Sequence, residues 1–128
     1  MAKLKVIQTN KAPKAIGPYS QAVKIGNLIF TAGQIPLTPA GKLIQGSIME
    51  HTRQVFENLK AVLKAAGSSL NNALKVTVYM TDLKKFSDMN EIYKQYFSRN
   101  YPARSTVQVA NLPKGVNIEV DVVAYGGK

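Results

Sequence analysis

Cysteine and tryptophan are absent from this chain, histidine occurs once, and seven acidic residues stand against seventeen lysines and arginines. Each shortage excludes a class of chemistry. Without cysteine there is no disulfide framework and no thiolate to act as nucleophile or ligand, and a reducing compartment is compatible with the composition. The lone histidine, His51, lies where a helix is expected to begin, and reads as a solvated or satisfied imidazole rather than a metal ligand. No run of about 18 apolar residues occurs, and the N-terminus lacks the basic and apolar regions of a secretory leader. The chain is therefore expected to be soluble, unprocessed and cytoplasmic, with no membrane partner.

Acids are missing altogether from residues 1–49, which hold six lysines, and the net charge is +10. Such a surplus attracts anions at long range, whether nucleic acid or small substrates. The lysines are scattered, however, and only Lys84 and Lys85 are adjacent. No basic run is interleaved with aromatics, as a stacking platform for single-stranded nucleic acid requires. The charge reads as a solvated basic surface.

What is present suffices for one domain over residues 1–128, burying roughly two thirds of the surface its unfolded chain exposes. KLKVIQ is an expected first strand, and the loop KAPKAIGPYSQ follows it. AVKIGNLIFTAGQ reads as a hairpin turning at Gly26 and Asn27. After a second loop, Ser47 and Glu50 form a capping-box pattern that opens a helix. Its stripe is Val55, Leu59, Val62, Leu63 and Ala66, and Gly67 stands at the left-handed cap. ALKVTVYMT returns to strand periodicity. Ser87 is the expected cap of a second helix burying Met89, Ile92, Tyr93, Tyr96 and Phe97. The order β-β-β-α-β-α-β-β predicts an α+β layer, two helices covering one face of a sheet.

The last segment, YPARSTVQVANLPKGVNIEVDVVAY (101–125), reads as two strands joined by a turn. Val107 and Val109 alternate with Arg104, Thr106 and Gln108, and Glu119 and Asp121 continue the polar set. Two helices cover only one sheet face, yet the strands carry apolar side chains on both. The second face is therefore expected to meet other copies of the chain, with Arg104, Thr106, Gln108, Glu119 and Asp121 on that face near a cleft between subunits. On residue type alone, Arg104 and Glu119 fit an interface ion pair as well as a site. Tyr19 fits packing, and Gly33 a close approach of backbone.

Four segments, AIGPYSQA (15–22), FTAGQIP (30–36), YPARSTV (101–107) and LPKGVNIEVDVVA (112–124), together resemble the signature of the RidA family, also called YjgF. The resemblance covers essentially the whole chain. It implies a chorismate-mutase-like α+β fold, a homotrimer with sites between subunits, and hydrolysis of reactive 2-enamino and 2-imino acids released by pyridoxal-phosphate-dependent dehydratases. It places the substrate carboxylate on Arg104, backbone contacts at Gly33, Tyr19 in the cleft wall, water handling on Glu119, and Asn90 and Thr106 near the substrate. Thr106 stands where the family often has cysteine, and Ala32 where serine is common. No metal or organic cofactor is implied.

The chemistry suits these residue types. A planar carboxylate matches the guanidinium fork, and a carboxylic acid with a raised pKa can move the protons of an attacking water. Two other functions compete: a ribonuclease or translation inhibitor, and a non-catalytic 2-oxo-acid-binding or chaperone-like trimer.

Overall fold

A computed structural model describes residues 3–126. The elements follow the expected order: β1 (Lys5–Ile7), β2 (Ala22–Ile25), β3 (Leu28–Thr31), α1 (Ile48–Ala65), β4 (Ala73–Met80), α2 (Phe86–Tyr93), β5 (Ala103–Gln108) and β6 (Ile118–Tyr125). The six strands form one mixed sheet in the order β1-β2-β3-β6-β4-β5. All neighbours are antiparallel except β4 and β5. No helix among the described residues is long and apolar enough to cross a membrane.

Local chemistry sets the ends of the elements. Gly26 takes φ 57° at the first of the two turn residues between β2 and β3, the position a tight hairpin reserves for glycine. At the start of α1 the Glu50 carboxylate accepts the Ser47 N–H at 2.9 Å. At its end the Ser68 N–H reaches the Leu63 carbonyl at 2.8 Å and the Gly67 N–H reaches Lys64 at 3.0 Å, with Gly67 at φ 81°. This is a Schellman ending. The second helix starts earlier than Ser87 suggests. The chain enters it through a 3₁₀ turn at Leu83–Lys85, and the Asp82 carboxylate accepts the Lys84 N–H at 2.9 Å. Asp82 therefore caps the turn that leads into α2, and Ser87 is already inside the helix.

The core lies between the helices and one sheet face. Val55, Leu59, Val62, Leu63 and Ala66 of the α1 segment are buried against Ile29, Val76, Val78, Ile118, Val120 and Val122. Phe56 turns toward α2, its ring 5.5 Å from that of Tyr93 and 5.3 Å from that of Tyr96. The opposite face is open. Val6, Ile25, Leu28, Phe30, Val107 and Tyr125 there are 41–60 % exposed, apolar surface of the kind that marks an interface.

Two expectations about residues 101–125 need correction. The strands β5 and β6 are not neighbours, because β4 lies between them. Their polar sets also occupy opposite faces. Arg104 pairs with Val76 and Thr106 with Val78, whose side chains are buried beneath the helices, so Arg104, Thr106 and Gln108 share the helix-covered face. Glu119 pairs with Tyr79 and Asp121 with Thr77 on the open face. At the sheet edge, β5 turns its polar residues inward toward α2, whereas β6, at the centre, turns them outward.

Candidate functional site

The first half of the site grows from β5 and α2. Arg104, half-buried on the edge strand, extends beneath α2, where its Nη1 donates to Asn90 Oδ1 at 2.7 Å. Its guanidinium carbon lies 4.4 Å from the centre of the Tyr93 ring and 5.3 Å from that of Phe86. An amide on one nitrogen and two rings against the plane fix the orientation of the fork, a cation–π arrangement that arginine suits better than lysine. No carboxylate pairs with it among the described residues. Arg104, Asn90 and Tyr93 line a cavity of ≈ 390 Å³ with Tyr101, Pro102 and Lys94. Two buried hydroxyls nearby, Thr106 Oγ1 and Tyr93 OH, have no partner among the described residues. Burial raises the Tyr93 pKa, and the Arg104 charge opposes the rise.

The second half lies across the sheet, at the start of β6. Glu119 is half-buried, and its pKa is raised, first by burial and second by the neighbouring Asp121. Asp121 is raised by burial as well, opposed by the Tyr79 hydroxyl, which donates to it at 3.2 Å, and by Lys75. The Glu119 carboxylate packs on the backbone at Gly33, where any Cβ would overlap it. Gly33 thus permits close approach, as its residue type suggested. The adjacent Gln34 bonds to Val120 backbone in both directions, at 2.8 and 3.1 Å, which holds the segment against β6.

Around Glu119 opens a cleft of ≈ 440 Å³, lined by Tyr19, Ile16, Lys14, Gly33, Ile35 and Lys114 among others. Tyr19 is 53 % exposed, and its hydroxyl sits 3.5 Å from the Ile16 N–H. Two residues that sequence reasoning missed hold the walls. Gln21, 3 % exposed, accepts the Thr9 N–H at 2.7 Å and donates to the Thr9 and Pro13 carbonyls at 3.0 and 2.8 Å. Asn58 of α1, 1 % exposed, donates to the Leu37 carbonyl at 2.9 Å. A sequence signal existed for Asn58, an amide three residues after Val55 and four before Val62 on the apolar stripe. None existed for Gln21.

The expected residues therefore divide into two sets, Arg104, Asn90 and Thr106 on one face and Glu119, Gly33 and Tyr19 on the other. An Arg104–Glu119 ion pair within one chain is not formed. His51 is committed elsewhere, its Nδ1 2.9 Å from Asn117 Oδ1 and its Nε2 buried.

Comparison with known proteins gives a consistent result. The family described as Endoribonuclease L-PSP matches residues 9–126. A RutC family protein of Pyrococcus abyssi is 56 % identical, over 98 % of both chains. Human 2-iminobutanoate/2-iminopropanoate deaminase is 49 % identical, over 96 % of this chain and 90 % of that protein. The crystal structure of Escherichia coli TdcF with bound serine superimposes with a TM-score of 0.91 at 45 % identity, covering 94 % of this chain and 98 % of that one.

Proposed function

The chain belongs to the RidA (Endoribonuclease L-PSP) family, and on that premise we propose that it hydrolyses reactive 2-imino and 2-enamino acids, such as 2-iminopropanoate and its tautomer 2-aminoacrylate, to 2-oxo acids and ammonia. The observation that carries the reading is the Glu119 carboxylate. It is half-buried in a cleft wall against Gly33, with its pKa raised and no paired cation among the described residues. An acid so placed exchanges protons nearer neutral pH than an exposed glutamate does.

In the reaction, the oxygen of a water adds to the imine carbon while the C=N electron pair moves to nitrogen. Glu119 takes a proton from the water and returns one to that nitrogen. Glu119 then takes the hydroxyl proton of the resulting carbinolamine and passes it to the nitrogen, the carbon–nitrogen bond breaks as the carbonyl forms, and ammonia leaves. Arg104 supplies position: its fork, fixed by Asn90 and Tyr93, grips the substrate carboxylate in a bidentate pair. Because Arg104 and Glu119 lie on opposite faces of one sheet, a complete site takes Arg104 from one copy and Glu119 from another. A closed homotrimer with apolar open faces turned inward provides such clefts. The substrates are those that pyridoxal-phosphate-dependent dehydratases release.

The test is ammonia and pyruvate release while a dehydratase generates 2-aminoacrylate, with and without the protein. Arg104→Lys keeps the charge and loses the fork, and is expected to cost about 2–4 kcal/mol of transition-state stabilisation, roughly thirty- to a thousand-fold in rate. Near-normal turnover in a folded Arg104→Lys protein would overturn the carboxylate anchor. Binding of a 2-oxo acid without any acceleration would favour the non-catalytic reading. A nuclease reading has the family description and the basic charge in its favour, but its only imidazole is bonded to Asn117. RNA cleavage that survives loss of Arg104 in purified protein would favour it.

A further inference from the structure

Lys114 is the only non-glycine residue with positive φ among those described, at φ 58° and ψ 19°. It sits between Pro113 and Gly115, which itself has φ 69°. Glycine or asparagine occupies this left-handed conformation at lower cost than a lysine. The turn therefore gains nothing in backbone terms from lysine, and strained residues of this kind cluster at binding sites. What lysine adds is an ammonium group on the lip of the Glu119 cleft. Lys14 stands in the same lining, on the loop that Gln21 clamps through the Thr9 and Pro13 carbonyls.

Neither lysine is neutralised. Among the described residues the one salt bridge is Lys94 with Glu91. Glu119, the acid of this cleft, is affected by burial and by Asp121, and no lysine relieves it. The same cleft is lined by the apolar Ile16, Ile35 and Leu37. An aliphatic chain ending in an anion matches a lining that combines apolar side chains with two cations, whereas the side chains of the smallest imino acids carry no charge for the lysines to meet.

We propose that Lys14 and Lys114 form a distal anion site, and that it selects imino acids whose side chain ends in a second carboxylate. This rests on the deaminase reading above and adds a substrate class to it. The α-carboxylate goes to Arg104 of one copy, the imine carbon to Glu119 of the other, and the side-chain carboxylate to the lysines beside Glu119. The class of reaction that supplies such substrates is oxidation or dehydration of acidic or hydroxylated dicarboxylic amino acids.

The test generates 2-iminoglutarate and 2-iminopropanoate in the cuvette with an L-amino acid oxidase acting on glutamate and alanine. It compares kcat/KM for the two in the wild type, Lys114→Gly and Lys14→Ala. Glycine suits the turn, so Lys114→Gly removes the charge and leaves the backbone unstrained. Each variant is expected to lower the ratio in favour of 2-iminoglutarate by about two- to five-fold, as for an exposed charge pair, and added salt to narrow it in the wild type. A ratio unchanged in both folded variants overturns the lysine site and leaves deamination standing. Should the wild type hydrolyse neither compound, the deaminase reading falls separately, and calorimetry with 2-oxoglutarate and pyruvate decides the lysines. A preference for 2-oxoglutarate that Lys114→Gly reduces supports the site, and no preference overturns it.

Discussion

Glu119 and Gly33 act as one unit, and a single methyl group separates their roles. A Cβ at residue 33 would overlap the Glu119 carboxylate, so Gly33→Ala must push the acid out of its place. The variant is expected to fold and to lose at least about tenfold in imine hydrolysis, because a displacement of this size removes positioning. Circular dichroism and turnover on one sample check both parts. Glu119→Gln separates charge from shape. The ordinary glutamate value is 4.5 and the folded one is higher. Between the two the native chain holds more protons than the unfolded chain, so this residue's contribution to stability falls as pH rises through that window. Glu119→Gln should therefore be more stable than wild type at neutral pH, with the difference vanishing below about pH 4. Its turnover should be lost, along with the limb of the pH–rate profile that lies above the ordinary glutamate range. Equal melting temperatures at neutral pH would show that the burial of this charge has no energetic consequence.

At the scale of elements, the cleft depends on two clamps that join irregular chain to regular structure. Gln21, at the threshold of β2, ties down residues 9–13, and Asn58 on α1 ties down residues 35–37. Gln21→Ala leaves the partly buried Thr9 and Pro13 backbone groups without this partner and is expected to cost about 1–3 kcal/mol in urea unfolding. It should also raise KM more than it lowers kcat, since it frees the wall that carries Lys14 and Ile16. A loss of stability with unchanged kinetics would reduce the clamp to a purely structural contact. Asn58 carried a sequence signal as an amide on the apolar stripe, but the partners of both clamps were not legible, because they are backbone groups, which carry no residue identity. What was legible is local: the reach from Glu50 to Ser47, the left-handed Gly67, the stripe from Val55 to Ala66, and the turn at Gly26. The face of Arg104 was not. Alternation gives which residues share a face of a strand but not which face the helices cover, and β5 at the sheet edge inverts the choice made by β6. A long cation can lie beneath α2 because rings receive its plane and Asn90 its end. Thus the alternation within each strand was readable, and the division of the two polar sets between opposite faces was not.

For the molecule as a whole, the proposed function makes one expectation of the open apolar face and of the separation of Arg104 from Glu119: assembly with other copies. Sedimentation equilibrium at micromolar concentration is expected to give a trimer, and a stable monomer would remove both the proposed cleft and its chemistry. The charge of +10 is expected to give weak RNA association that falls steeply with salt, measured by fluorescence anisotropy, as counterion release dictates. The sheet order has a further consequence, for the birth of the protein. Its last strand, β6, lies at the centre, between β3 and β4. Until residues 118–125 have left the ribosome, both of those strands present an unfilled edge, and the helices have no continuous surface on which to settle. The nascent chain must therefore lack a complete sheet until β6 emerges, exposed meanwhile to aggregation and to chaperones. The central strand also brings Glu119 with it, so the cleft and the fold come into being in the same closing step.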